Sequence, residues 1–102
     1  MHPLPYSVYV LFSHKDHFLY IGFSTNLAKR IQKHNSGGNT STANRTPLEL
    51  IFCEFYLFKE DALKREKYFK TTMGKKALKL MLNGTLNKLG YKGQKLEYQY
   101  SI

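Results

Sequence analysis

Only one cysteine, Cys53, occurs in the 102 residues, so no disulfide can form within the chain and no cysteine-based zinc site can be assembled. Cys53 lies in an apolar, strand-like run and reads as a small core hydrophobe. Long hydrophobic stretches are also missing. The longest, such as residues 8–12 and 50–53, fall far short of the roughly 20 residues that a membrane-spanning helix needs. The chain begins His2-Pro3-Leu4-Pro5, without the basic start and apolar run of a secretory signal. The expectation is therefore a cytoplasmic protein that does not engage a membrane. At this length the chain has room for one domain and one modest core.

Acidic residues are scarce, seven against sixteen lysines and arginines, and the net charge is +9. The surplus is unevenly placed. Between Lys59 and Lys95 eleven basic residues face only Glu60, Asp61 and Glu66, a surplus of eight that leaves +1 for the rest. A concentrated basic half attracts a polyanion by releasing its counterions, and nucleic acid is the commonest such partner. On charge alone a membrane surface or plain solubility stays open. His14 and His17 share a metal-like spacing but flank Lys15-Asp16 in what reads as a solvated turn.

What is abundant is tyrosine and phenylalanine, eight and seven. Residues 6–12 and 18–22 are rich in β-branched and aromatic side chains and are separated by polar turn material, which predicts a β-hairpin. Strand alternation places Tyr9 with Ser7 and Leu11 on one face, and Tyr20 with Phe18 and Gly22. Pairing then sets Tyr9 opposite or diagonal to Tyr20, depending on the turn. Ser24 and Thr25 can cap a helix over about residues 26–35, whose inner face carries Leu27, Arg30, Ile31 and His34 at i, i+3, i+4 and i+7. Lys29 and Lys33 lie off that face.

Residues 36–46 are almost entirely Gly, Ser, Thr and Asn and form a loop, either functional or simply mobile. Residues 48–58 give the strongest strand signal, apolar at nearly every position, as expected of a central strand covered on both sides. Helical character returns over residues 59–70 and 75–83, with a break expected near Met73-Gly74. Ala62, Glu66 and Phe69 share one face of the first of these. A carboxylate there is costly to desolvate unless it is compensated. The tail from Gly84 to Ile102 has no clean period, and only a short strand near residues 96–100 suggests itself.

Five polar groups thus aim inward: Tyr9, Tyr20, Arg30, His34 and Glu66. Singly, each has an ordinary structural explanation: tyrosines suit strands, Arg30 could pair with Glu66, and His34 could be a satisfied helix-end histidine. Their convergence in so small a chain is harder to explain by structure alone.

Ser7-Val8-Tyr9, Tyr20-Ile21-Gly22, Asn26-Leu27, the run from Arg30 to Gly37, Ser41-Thr42 with Arg45 and Pro47, and Ala62-Leu63-Lys64-Arg65-Glu66 together resemble the GIY-YIG nuclease superfamily. The likeness is to its small stand-alone branch, related to the amino-terminal cutting domain of the bacterial excinuclease. It covers residues 6–82 of a single domain spanning 1–102, leaving 84–102 as a C-terminal extension. Ser7 replaces a glycine of the first motif, and Phe23 stands where the excinuclease branch carries a lysine, a loss that Lys29 or Arg45 could make good.

The resemblance implies an α/β (α+β) fold, a small three-stranded antiparallel sheet flanked by about three helices. It implies an endonuclease acting on nucleic acid, DNA in preference to RNA, in repair or processing. One divalent cation, Mg²⁺ or Mn²⁺, would be held by Glu66, with Arg30 on the scissile phosphate, His34 and Tyr20 positioning phosphate or water, and Tyr9 as general base. Nucleic-acid contacts are expected at Gly22, Lys29, Lys33, Arg45, Lys70, Lys75 and Lys76. The competing reading is a non-catalytic nucleic-acid-binding module on the same fold.

Overall fold

A computed structural model describes residues 3–39 and 42–91. Strand β1 (Tyr6–Ser13) and strand β2 (Leu19–Ser24) form the expected hairpin. Helix α1 (Leu27–Asn35) follows, then strand β3 (Leu48–Tyr56) and helices α2 (Lys59–Phe69), α3 (Thr72–Met81) and α4 (Asn83–Lys88). The sheet is antiparallel with strand order β2-β1-β3. The three expected strands are present; the described residues form four helices in place of about three. None of these helices is long and apolar enough to cross a membrane.

The central strand is β1, not β3. Val8, Val10 and Phe12 on one face and Tyr9 and Leu11 on the other are all fully buried. Strand β3 is an edge, half-buried along most of its length, and it stops at Tyr56, leaving Leu57 and Phe58 exposed. An apolar run marks burial but cannot say which of two such runs receives partners on both sides. Only β1 does. Between Val10 and Leu11 the register against β3 slips, so that Ile51 is skipped, a bulge that bends the sheet.

Two apolar clusters sandwich the sheet. The larger joins Val8, Val10, Phe12, Leu19 and Ile21 to Ala62, Phe69, Leu78, Leu82 and Leu86 of the C-terminal helices. The smaller, on the α1 side, gathers Tyr9, Leu11, Tyr20 and Leu48, with Leu27, Ile31 and Cys53 packed against it. Two tyrosines thus belong to the smaller core, and the polar groups around them must be satisfied locally.

Helix boundaries shift for identifiable reasons. The cap of α1 is Asn26, whose side chain accepts from Lys29 N at 3.2 Å; the expected cap Ser24 instead accepts from Asn26 N at 2.9 Å and closes the strand exit. The break expected at Met73-Gly74 falls earlier, because Thr71 caps α3 by accepting from Gly74 N at 3.0 Å. Gly74 lies inside α3, where an added Cβ would collide with the Tyr68 backbone. It permits close approach of α2 and α3 and is not a helix breaker. The second expected helix, over 75–83, is interrupted at Leu82, and α4 begins at Asn83. The strand expected near residues 96–100 lies outside the described residues.

Candidate active site

Tyr9 lies opposite Gly22 in the hairpin, and Tyr20 lies opposite Leu11. The two tyrosines are therefore diagonal on one face. The Tyr9 ring lies across Gly22, so close that a Cβ there would collide with its Cζ and hydroxyl. That contact explains why glycine follows Tyr20-Ile21. Gly22 itself is buried. Ser7, at the glycine position of the first motif, donates its hydroxyl to the Ser24 carbonyl across the hairpin at 3.0 Å.

Helix α1 brings the next two groups. His34, in its last turn, is fully buried, with Nε2 3.0 Å from the Tyr9 hydroxyl and Nδ1 2.7 Å from Thr42 Oγ1. Burial, then the charges of Arg30 and Lys33, hold His34 below its ordinary value, so the ring is neutral near pH 7. Arg30, one turn earlier, is near enough for its charge to act on the same Tyr9 phenol. Among the described residues Arg30 forms no ion pair; Glu66, its expected structural partner, pairs with Lys70 instead at 3.1 Å.

Glu66 comes from α2, on the inner face expected of it, and is half-buried. Its charge is felt at Tyr9. Burial raises the Tyr9 phenol, the Arg30 charge opposes the rise and Glu66 adds to it, leaving the phenol at about 12. Tyr9, Arg30, His34 and Glu66 thus form one electrostatically connected group. Tyr20 stands beside it with different partners: its hydroxyl donates to Asp16 Oδ2 at 2.8 Å, and Asp16 is paired with Arg45 at 3.1 Å. Burial and then Asp16 raise the Tyr20 phenol strongly.

The basic residues are divided. Lys29, Lys33 and Lys76 are exposed, and Lys75 is half-buried. Lys70 is engaged by Glu66, and Arg45 by Asp16. Phe23 is half-buried, stacks on Tyr6 and joins the larger core, so it places no cation in the site. His14 bonds Glu49 at 2.8 Å, and both His14 and His17 pack against Phe12. No group of three or more His, Cys, Asp or Glu that could hold a metal ion occurs among the described residues.

Two participants escape a reading of the sequence. Asp16 is aimed by its turn, where Ser13 Oγ accepts from Lys15 N and Asp16 N, and Asp16 Oδ1 accepts from Phe18 N. Thr42 is a buried hydroxyl in a polar loop. The sequence marks Asp16 only as a member of a polar turn, and Thr42 only as part of the Ser41-Thr42 block of the family resemblance, with no role attached.

A family model described as the GIY-YIG catalytic domain matches residues 5–79. The chain is 44% identical over 71 residues to a UPF0213 protein of Staphylococcus saprophyticus, covering 69% of this chain and 87% of that one. It is 38% identical over 85 residues to a UPF0213 protein of Clostridium perfringens, covering 82% and 90%. A third similar protein, YazA of Bacillus subtilis, is 43% identical over 63 residues, 61% of this chain and 64% of the relative. No solved structure matches the chain.

Proposed function

We propose that this chain, which belongs to the GIY-YIG family of catalytic domains, is a divalent-metal-dependent endonuclease that hydrolyses phosphodiester bonds in nucleic acid, DNA in preference to RNA. The single observation that carries the proposal is the Tyr9 phenol. It is fully buried, bonded to a neutral histidine, and approached by a guanidinium that has no carboxylate partner among the described residues.

The chemistry requires an anionic diester to accept a nucleophile. Arg30 offers its guanidinium to the phosphate, whose geometry it matches with more than one donor. Glu66 would hold Mg²⁺ or Mn²⁺. The donor set fits: Lys70 engages one carboxylate oxygen, the other carries no hydrogen bond among the described residues, and a hard cation can complete its shell with waters and the substrate phosphate. When bound, the cation supplies charge that offsets the charge developing on the phosphoryl and leaving oxygens.

Tyr9 acts as the base. With its phenol near 12, only about one molecule in 10⁵ is phenolate at pH 7, so a proton acceptor must be in place. His34 Nε2, 3.0 Å away, is that acceptor. The phenol proton moves to Nε2 as the phenol oxygen takes a proton from water; the water oxygen bonds to phosphorus, the bond to the leaving oxygen breaks, that oxygen takes a proton from solvent, and His34 returns its own to solvent. Tyr20, its own proton engaged by Asp16, stands beside this group and helps to position the water. Exposed Lys29, Lys33 and Lys76, with Lys75, draw in the backbone.

The test is incubation of the protein with supercoiled plasmid, single-stranded DNA and structured RNA, with Mg²⁺ or Mn²⁺ and with a chelator, beside Glu66→Gln and Tyr9→Phe. Metal-dependent nicking lost in folded Glu66→Gln is the expected result. Binding without cleavage, with both variants indistinguishable from wild type, would replace the nuclease by a non-catalytic nucleic-acid-binding module.

A further inference from the structure

The loop over residues 36–46 returns to the site through Thr42, whose hydroxyl is buried and lies 2.7 Å from His34 Nδ1. On the other side of the same ring, Nε2 lies 3.0 Å from the Tyr9 hydroxyl. A neutral imidazole carries one proton and one bare nitrogen, so only one of the two hydroxyls can donate to it. Two arrangements exist. Either Tyr9 donates to Nε2 and Nδ1–H donates to Thr42, or Thr42 donates to Nδ1 and Nε2–H donates to Tyr9.

Three considerations select the first. A phenol is a far stronger donor than an aliphatic alcohol, so Tyr9 wins the competition for the bare nitrogen. A donation from Nε2–H to the Tyr9 oxygen would leave the phenol proton without an acceptor among the described residues, in a side chain that is 0% exposed. A phenol proton is also held near the ring plane, whereas a threonine hydroxyl rotates freely about its bond and finds a backbone acceptor more easily.

We infer that Thr42 is a positioning residue that fixes neutral His34 as its Nδ1–H tautomer and so turns the bare Nε2 toward the Tyr9 proton. Nothing in the reaction touches Thr42. Its effect passes through the ring, as outer hydrogen-bond partners of histidine generally act. The consequence for catalysis rests on the nuclease reading; the tautomer assignment does not.

The experiment is ¹⁵N NMR of the histidine side chains in the full chain, wild type, Thr42→Ser and Thr42→Val, with His34 assigned by the resonance lost in His34→Gln. In wild type and Thr42→Ser, near pH 7, Nδ1 is expected at a protonated shift and Nε2 at a bare one. In Thr42→Val the Nδ1–H loses its acceptor, and both shifts move toward a tautomer mixture. Cleavage by Thr42→Val should fall about tenfold in kcat with little change in KM, and Thr42→Ser should restore it.

A protonated Nε2 in wild type overturns the inference even if Thr42→Val does not fold. Unchanged ring shifts in folded Thr42→Val overturn it as well. Absence of metal-dependent cutting by wild type, together with the expected shifts, sinks the nuclease reading and upholds the tautomer assignment.

Discussion

Replacing Gly22 by alanine adds one methyl group where the Tyr9 ring already lies. The new Cβ would overlap Tyr9 Cζ and the hydroxyl and stand 2.9 Å from Cε2, so the ring must move or the hairpin must open. Moving the ring separates the phenol from His34, breaking a buried 3.0 Å hydrogen bond. Overpacking costs about 1–3 kcal/mol and an orphaned buried polar group about 1–3 kcal/mol, while the stiffer backbone returns about 0.5–1 kcal/mol. The net loss is about 3 kcal/mol, a large part of the roughly 5–15 kcal/mol that holds a small protein folded. With an m-value of about 1.5 kcal/mol/M, the urea midpoint should fall by about 2 M. The cause is separable from a general intolerance of side chains, because Tyr9→Ala removes the obstruction. In the double variant Gly22→Ala should cost almost nothing beyond Tyr9→Ala, a coupling visible in a double-mutant cycle. A midpoint shift below about 0.5 M, or strictly additive effects, would refute the steric account.

Other outcomes follow from the same geometry. Gly74→Ala should lose about 3 kcal/mol in urea denaturation, because the Tyr68 backbone cannot give way as a side chain can, whereas Gly84→Ala, with open space around it, should gain about 0.5 kcal/mol. Tyr9 and Tyr56 are both held near 12, burial being the main cause; the unfolded phenols ionise near 10, so stability is intact below that pH and falls as pH rises toward 12. Ultraviolet phenolate absorption should show these tyrosines titrating late, in step with alkaline unfolding. Burial pushes the Glu54 carboxyl up, but hydrogen bonds from Arg65 and Tyr56 and the Arg65 charge outweigh it and leave it low. Its contribution is present above its unfolded value and is lost as pH falls through the folded one. Arg65 grips Glu54 through Nε at 2.9 Å and Nη2 at 3.1 Å and stacks 4.3 Å over Phe69, so Arg65→Ala should cost about 2 kcal/mol at neutral pH by thermal or urea unfolding, and less once acid has protonated Glu54 in the folded state.

How far the sequence can be read depends on the range of the interaction. The hairpin and the inner face of α1 follow from periodicity, and so Arg30 and His34 can be placed on one stripe. The tyrosine pair needs only strand alternation, although its diagonal register depends on the turn in which Asp16 accepts from Phe18 N. The status of β3 is not legible: edge and central strands can be equally apolar, and the difference lies in which strand is paired twice. Gly74 misleads because glycine serves two ends, breaking helices and letting them touch, and the sequence does not say which. The contacts of Thr42 and Asp16 are hidden because hydrogen bonds to a distant ring or phenol leave no periodic trace, although Thr42 itself stands in a block of the family resemblance. Glu66 reads from its helical position as a costly buried carboxylate, and it is half-buried beside a lysine; the Arg30 pairing that would have explained it away is absent among the described residues.

The Asn35 side chain accepts from Leu48 N at 2.8 Å and donates to the Leu48 carbonyl at 2.9 Å. An amide that satisfies both backbone groups of one residue does the work of a neighbouring strand, and it does so across twelve intervening positions. The segment between is therefore a polymer ring already closed at its neck. Lengthening a closed ring is cheap: each doubling costs only about 0.6 kcal/mol. Residues added near Gly37 and Gly38, upstream of the Thr42 anchor, would extend the ring without loosening its neck. New reach over a substrate could be acquired there while the sheet, the helices and the buried hydroxyl stay where they are.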